Sequence, residues 1–174
     1  MSGYFAVRLA AATVLAMDGA LFDVAYESLV TGGALVQRGE RVRPTGPEWT
    51  PPAELIAVLE RAETELVAAG YCVPEAAALA LKLGANGAEA LSLGYFLGRL
   101  VRVSGEYTYT TRQLEALRAA LAGYFARADA LSVAAFKELT GASRKWAVPL
   151  LEHCDRHGWT MRMGDERKRG AKLG

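Results

Sequence analysis

The residues best suited to chemistry in this chain are cations, and they open a helix. Ser143-Arg144-Lys145-Trp146 follows Thr140-Gly141-Ala142. Phe136 and Leu139 are apolar at helical spacing, and Thr140 and Gly141 break that pattern. Gly141 suits the left-handed conformation that closes a helix. Ser143 is of the type that caps the next one. Val148, Leu151 and Cys154, extended by Leu150 and His157, supply that second helix with an apolar stripe. Cations are unfavourable at the positive end of a helix dipole, so helix stability does not explain Arg144 and Lys145 in the first turn. Beside the N–H groups of that turn they form a local anion site. A helix-turn-helix whose second helix begins with basic residues is a geometry for reading nucleic acid.

The other candidates lie further on. Met161 and Met163 alternate with Arg162, which predicts a strand with the methionines toward the core and Arg162 outward. Arg167, Lys168, Arg169 and Lys172 extend the positive surface, although Arg169 and Lys172 read equally as a disordered basic tail. Trp146 can pack on the preceding helix or stack on an unpaired base, and the residues alone leave both readings open. Taken singly, Arg144 and Lys145 would pass for solvated helix residues. Pro149 falls in the second helical turn and reads as structural. His153 and His157 lie four apart on one helix, but nothing completes a metal site, so a capping or surface role is expected.

No paired carboxylates sit in an apolar setting. No catalytic triad, nucleophile elbow or phosphate-binding loop is present. The sequence offers no enzyme, no cofactor site and no metal site. Cys72 and Cys154 match no metal spacing and read as buried, reduced thiols of a cytosolic chain.

The composition permits this reading. The chain has 174 residues, 52% hydrophobic and 22% charged, so it can build a core. Its net charge is +1, so an anionic partner must be held by a local patch. Phe5 to Met17 is apolar but too short to span a membrane and lacks a signal cleavage pattern, so it reads as a core helix. A cytoplasmic protein is expected, without membrane contact and monomeric.

The elements that must position the cations recur. Helical patterns cover 7–17 and 21–30, the latter with Leu21, Val24, Ala25 and Leu29 inward. Two short strands follow about Gly39-Glu40, and the stretch from Pro44 to Pro52 reads as a stiff linker. Ala53 to Ala69 is an amphipathic helix with Leu55, Val58, Leu59, Ala62 and Leu66 inward. Pro74 fits the first turn of a helix ending near Leu83. Ala88 to Leu97 forms the next helix, with Leu91, Tyr95 and Phe96 packing, before a hairpin from Leu100 to Tyr109. Thr111 opens a helix to Ala126 with Leu114, Leu117, Leu121 and Phe125 inward. Leu131 to Val133 is extended, and Ser132 is placed to cap the following helix. After the Ser143 helix comes a third hairpin, Trp159 to Lys168. The turns Gly39-Glu40, Gly105-Glu106 and Gly164-Asp165 recur about sixty residues apart. Each closes a unit of helices and a two-stranded wing. The fold class is therefore mainly α with small β-hairpin wings, a tandem of winged-helix domains. The boundaries are 1–46 for a partial unit, 47–109 for a complete one and 110–174 for the last.

The stretch Ser132-Val133-Ala134-Ala135-Phe136-Lys137-Glu138-Leu139-Thr140-Gly141-Ala142-Ser143-Arg144-Lys145-Trp146-Ala147-Val148-Pro149-Leu150-Leu151-Glu152 is followed by Asp155-Arg156, Thr160, Arg162 and Gly164-Asp165. It resembles the last winged-helix domain of bacterial selenocysteine-specific elongation factors (SelB type). Leu100-Val101-Arg102-Val103-Ser104-Gly105 looks like the preceding winged helix of that family. The resemblance implies an RNA-binding arm for an mRNA stem-loop that marks a UGA codon for selenocysteine. Ser143, Arg144, Lys145, Trp146, Arg162, Arg167 and Lys168 are the implied RNA-binding residues, in 110–174. GTP, selenocysteyl-tRNA and the ribosome would be engaged through an N-terminal part not contained here. Trp146 stands where the family commonly has tyrosine, and the tail from Lys168 is more basic than a closing strand of the family. The competing readings are a tandem winged-helix DNA-binding regulator and a protein-interaction scaffold. The absence of charge from Ala85 to Ala88, the matching position of the second unit, favours one binding module and others that space it.

Overall fold

The computed structural model describes residues 19–38, 41–44 and 50–174. The expected helix over 7–17, the turn at Gly39-Glu40 and most of the 44–52 linker lie outside these residues. The chain divides into two units, Met1–Pro52 and Ala53–Gly174.

In the first unit, helix α1 (Gly19–Thr31) precedes an antiparallel pair, β1 (Leu35–Arg38) and β2 (Arg41–Pro44). Gly33, at a φ of 71°, makes the sharp exit from the helix. Val24 and Leu29, expected inward, are exposed, because nothing among the described residues covers them.

The second unit opens with α2 (Ala53–Ala68), which buries Leu55, Leu59, Ala62 and Leu66 on one stripe. Helix α3 (Ala76–Leu83) begins later than expected. Pro74 precedes it by two residues, and Glu75 takes the N-cap position. Helix α4 (Gly87–Phe96) crosses α3 so closely that a Cβ on Gly87 would stand 2.0 Å from the Ala80 carbonyl oxygen. Strands β3 (Leu100–Arg102) and β4 (Thr108–Thr110) form the first wing. No linker separates this wing from the next helix. Thr110 ends β4 and caps α5 (Thr111–Phe125) through a capping box with Gln113. The Gln113 amide then donates to the Leu66 and Gly70 carbonyls, at 2.8 and 2.6 Å, which ties α5 back to α2.

The helical set then repeats. Strand β5 (Leu131–Ser132) leads into α6 (Val133–Thr140), and the Ser132 hydroxyl caps it by accepting from the Ala135 N–H. Helix α7 (Arg144–Arg156) and strands β6 (Thr160–Met163) and β7 (Glu166–Arg169) complete a three-stranded sheet of order β5-β7-β6. The buried residues of α7 include Leu150, Leu151 and Cys154, as expected, with Ala147 and His153 in place of Val148 and His157.

The wing reverses the expected facing of the methionines, while Arg162 is exposed as expected. Thr160 pairs with Arg169 and Arg162 with Arg167, while Met161 pairs with Lys168 and Met163 with Glu166. Directly paired residues share a face of the sheet. Thr160 and Arg167 are buried against α7, so the methionine face is the outer one, and Met161 and Met163 are each 52% exposed. The tail is also not loose. Arg118 donates to the Lys172 and Leu173 carbonyls at 2.7 and 3.1 Å, and Leu173 is buried. Among the described residues no helix is long and apolar enough to cross a membrane.

Candidate nucleic-acid interface

Local chemistry builds the turn that presents the cations. Gly141 closes α6 at a φ of 68°, and its N–H donates to the Lys137 carbonyl at 2.8 Å. Ser143 sits at the N-cap of α7 as expected, but its hydroxyl makes no capping bond. The start of α7 thus keeps donors of its first turn and the Ser143 hydroxyl for another acceptor. Arg144 and Lys145 are exposed beside them, and no acidic residue shares that turn. Among the described residues the Arg144 side chain has no ion-pair or hydrogen-bond partner. A doubly basic, uncapped helix start of this kind has the charge and free donors suited to an oxyanion.

Lys145 is already engaged. Its Nζ lies 3.1 Å from Glu75 Oε1, 5.7 Å from the Tyr107 ring centroid and 5.5 Å from the Trp146 ring centroid. The neighbouring Tyr107 hydroxyl first, and then Glu75, raise its pKa. That hydroxyl is buried and meets no partner at hydrogen-bonding geometry. Trp146 is half-buried, with Nε1 donating to the Val73 carbonyl at 2.8 Å and its ring 6.3 Å from that of Tyr107. Arg156, near the other end of α7, donates to the Val103 carbonyl at 2.5 Å. One face of α7 is therefore held by residues from the preceding helical set. None of these contacts with the preceding set was legible in the sequence, because the partners lie about forty to seventy residues away on segments without a motif of their own.

The wing residues separate into different environments. Arg162 and Lys168 are exposed, but the strand pairing puts them on opposite faces of the β6–β7 ribbon. Arg162 Nε donates back to the Gly164 carbonyl at 3.2 Å. Arg167 is only 5% exposed, and its Nε donates to Asp155 Oδ2 at 3.1 Å. Thr160 donates to the other oxygen of Asp155 at 2.5 Å. Arg167 thus fixes the wing to α7 and is not offered to a ligand, unlike its expected place among the exposed cations.

Two further expectations are corrected. His153 is 2% exposed, not a surface residue, with Nδ1 unpaired and its ring 4.0 Å from that of His157. Burial first, then His157 and Arg156, lower its pKa to about 4. Cys154 is buried as expected, and burial pushes its thiol up to about 12. Cys72, on the loop after α2, is exposed. Among the described residues no three metal-ligating side chains come together.

Fold and site together define a tandem of winged helices in which one helix, α7, begins basic and uncapped. Residues 123–169 match the family described as "Elongation factor SelB, winged helix". A selenocysteine-specific elongation factor from Desulfomicrobium baculatum is 26% identical over 155 residues, which cover 87% of this chain and 24% of that protein. The chain thus spans about a quarter of the length of that curated relative. The mRNA-binding domain of E. coli SelB, solved in complex with SECIS RNA, superposes with a TM-score of 0.55 at 20% identity, covering 67% of this chain and 97% of that one. A bacterial selenocysteine-specific elongation factor EF-Sec gives a TM-score of 0.60 at 20% identity, over 81% of this chain and 22% of its own. At such identity the two structures speak for the fold. The chain is similar to the C-terminal winged-helix region of selenocysteine-specific elongation factors, as its residues 132–165 led one to expect.

Proposed function

We propose that this chain is the RNA-binding arm of a selenocysteine-specific translation elongation factor, and that it holds the mRNA stem-loop directing selenocysteine insertion at UGA. The matched winged-helix family, the curated relative and the fold of a SECIS-binding domain support this reading. The observation that carries it to particular atoms is the start of α7, where Arg144, Lys145 and the Ser143 hydroxyl surround an uncapped helix terminus. The equivalent turn of α4 presents Gly87 and Ala88 and no cation, which favours a single binding module over a DNA reader with both modules basic. Module boundaries at 1–46, 47–109 and 110–174 belong to the same reading. GTP, selenocysteyl-tRNA and the ribosome would be engaged, in the cytoplasm, by parts of the protein outside this chain. The arm itself carries out no chemical step.

Deep-groove access is closed in A-form RNA, so the target is a loop or bulge. Arg144 and Lys145 hold its backbone, Trp146 stays in the junction, and Arg162 or Lys168 closes from whichever wing face the RNA meets. The test is an anisotropy titration of labelled hairpins, transcribed from the 3′ flank of selenoprotein UGA codons, at several salt concentrations. Arg144→Ala and Lys145→Ala should each weaken binding roughly tenfold or more. Each should also make the salt dependence shallower by about one counterion. Arg102→Ala, on the first wing, should change little. Duplex DNA binding as tightly as the hairpin, or loss of binding with Arg102→Ala alone, overturns the proposal.

A further inference from the structure

The two helical sets place Glu75 and Ser132 at the same position. Each is the N-cap of the second helix of its set, and each pairs with the last wing strand or its flank, Ser132 with Glu166 and Glu75 with Tyr107. Ser132 caps its own helix. Glu75 leaves α3 uncapped, and its carboxylate reaches instead to Lys145, seventy residues on, at the start of α7. The backbone around Glu75 is fixed, because the Ala76 N–H donates to the Glu106 carbonyl at 2.7 Å. The loop therefore delivers a carboxylate, which has the charge and acceptor geometry of a phosphate oxygen, to a lysine at an anion-binding helix terminus.

We infer that Glu75 is a built-in counter-ion that occupies Lys145 until an RNA phosphate displaces it. The inference rests on the RNA-binding reading and adds a positioning residue from the neighbouring module to it. Binding RNA then requires the Glu75–Lys145 contact to open, while Trp146–Val73 and Arg156–Val103 keep the two helical sets together. By linkage, the junction and the RNA site influence each other by the same factor. The pair is about half exposed on both sides, so the competition is modest.

The same hairpin titration, with Glu75→Gln, tests this. Glu75→Gln should tighten binding roughly two- to fivefold at low salt, the range an exposed pair allows. The gain should shrink as salt rises, because screening already weakens the pair in the parent protein. In a Lys145→Gln background the same substitution should have much less effect, which a general repulsion between Glu75 and RNA would not produce. Glu75→Ala provides a second variant, with thermal unfolding as the check that both remain folded. Unchanged affinity at low salt, or equal tightening with and without Lys145, overturns the inference while leaving RNA binding itself intact. Failure of the parent protein to bind any hairpin removes both.

Discussion

Asp155→Ala should damage this protein more than the loss of any exposed cation. Asp155 lies on α7 and receives two buried donors, Arg167 from β7 and Thr160 from β6. The Arg167 side chain is 6% exposed and that of Asp155 22%. Removing one partner of a buried pair leaves an uncompensated charge and costs about 3–5 kcal/mol. The Thr160 hydroxyl would lose its acceptor as well, worth about 1–3 kcal/mol when buried. Water can reach the partly open Asp155 side, and the two losses share one group, so the expected total is about 3 kcal/mol. That corresponds to a fall of roughly 10 °C or more in the melting temperature of a unit this size. The assay is urea unfolding of the whole chain, followed by far-ultraviolet circular dichroism. Lys168→Ala, one residue from Arg167 but on the outer face, should stay within about 0.5 kcal/mol. Arg167→Met added to Asp155→Ala should recover most of the loss, since no buried charge then remains. A cost below about 1 kcal/mol, or no recovery in the double variant, would refute the assignment of Arg167 to the framework. On the proposed function, RNA affinity should also fall in Asp155→Ala, because the pair sets the wing against α7.

His153 gives a pH dependence of defined sign. Its folded pKa is lowered to about 4 from the usual 6.5, so the unfolded chain binds the proton more readily. Stability is then complete above about pH 6.5 and falls as the pH drops toward 4, by up to about 3 kcal/mol. Urea midpoints measured from about pH 4 to 8 should show this slope, and His153→Leu should reduce it; an identical slope in both proteins would exclude His153 as its source. Trp146→Phe removes the donor to Val73 and should cost about 1 kcal/mol of stability while changing RNA affinity less than about twofold. A tenfold loss of RNA affinity in that variant would instead place the indole on a base.

The helices could be read from the sequence because their cores are regular. Leu55, Leu59, Ala62 and Leu66, and later Leu114, Leu117 and Leu121, repeat at helical spacing and are buried. Gly141 and Ser132 announce their conformations by residue type, and both take them. The wing shows the limit. Alternation along 160–163 defines two faces but not which one meets the core. That choice is made by Asp155 on another element, which draws in Thr160 and Arg167 and leaves two methionines outside. The burial of His153 is hidden for a related reason, since it depends on Trp159 across the turn, whose ring lies 5.6 Å away. In the candidate site, the exposure of Arg144 follows from its place in the first turn. The engagement of Lys145 and Trp146 does not, because it depends on how the Val73-Pro74-Glu75 loop meets α7.

The repeat also bears on how a chain with a net charge of only +1 would carry the proposed anion site. Both helical sets place a three-residue, glycine-led turn at this point, Gly84-Ala85-Asn86 before α4 and Gly141-Ala142-Ser143 before α7, with different backbone angles, and in neither does the N-cap side chain cap its helix. They also differ in the first residue of the helix they open. Gly87 is required by the close approach of the Ala80 carbonyl, so a side chain there would push α3 and α4 apart. Arg144 is exposed and can extend into solvent. Packing thus forbids in the first set the side chain that the second set exposes. The first set instead contributes through its loop, where Val73, Glu75 and Tyr107 meet the first turn of α7. On the proposed reading, affinity for an anion would depend on Arg144 and Lys145 and on the Glu75 carboxylate paired with Lys145, and the charge of the whole chain would have little say in it.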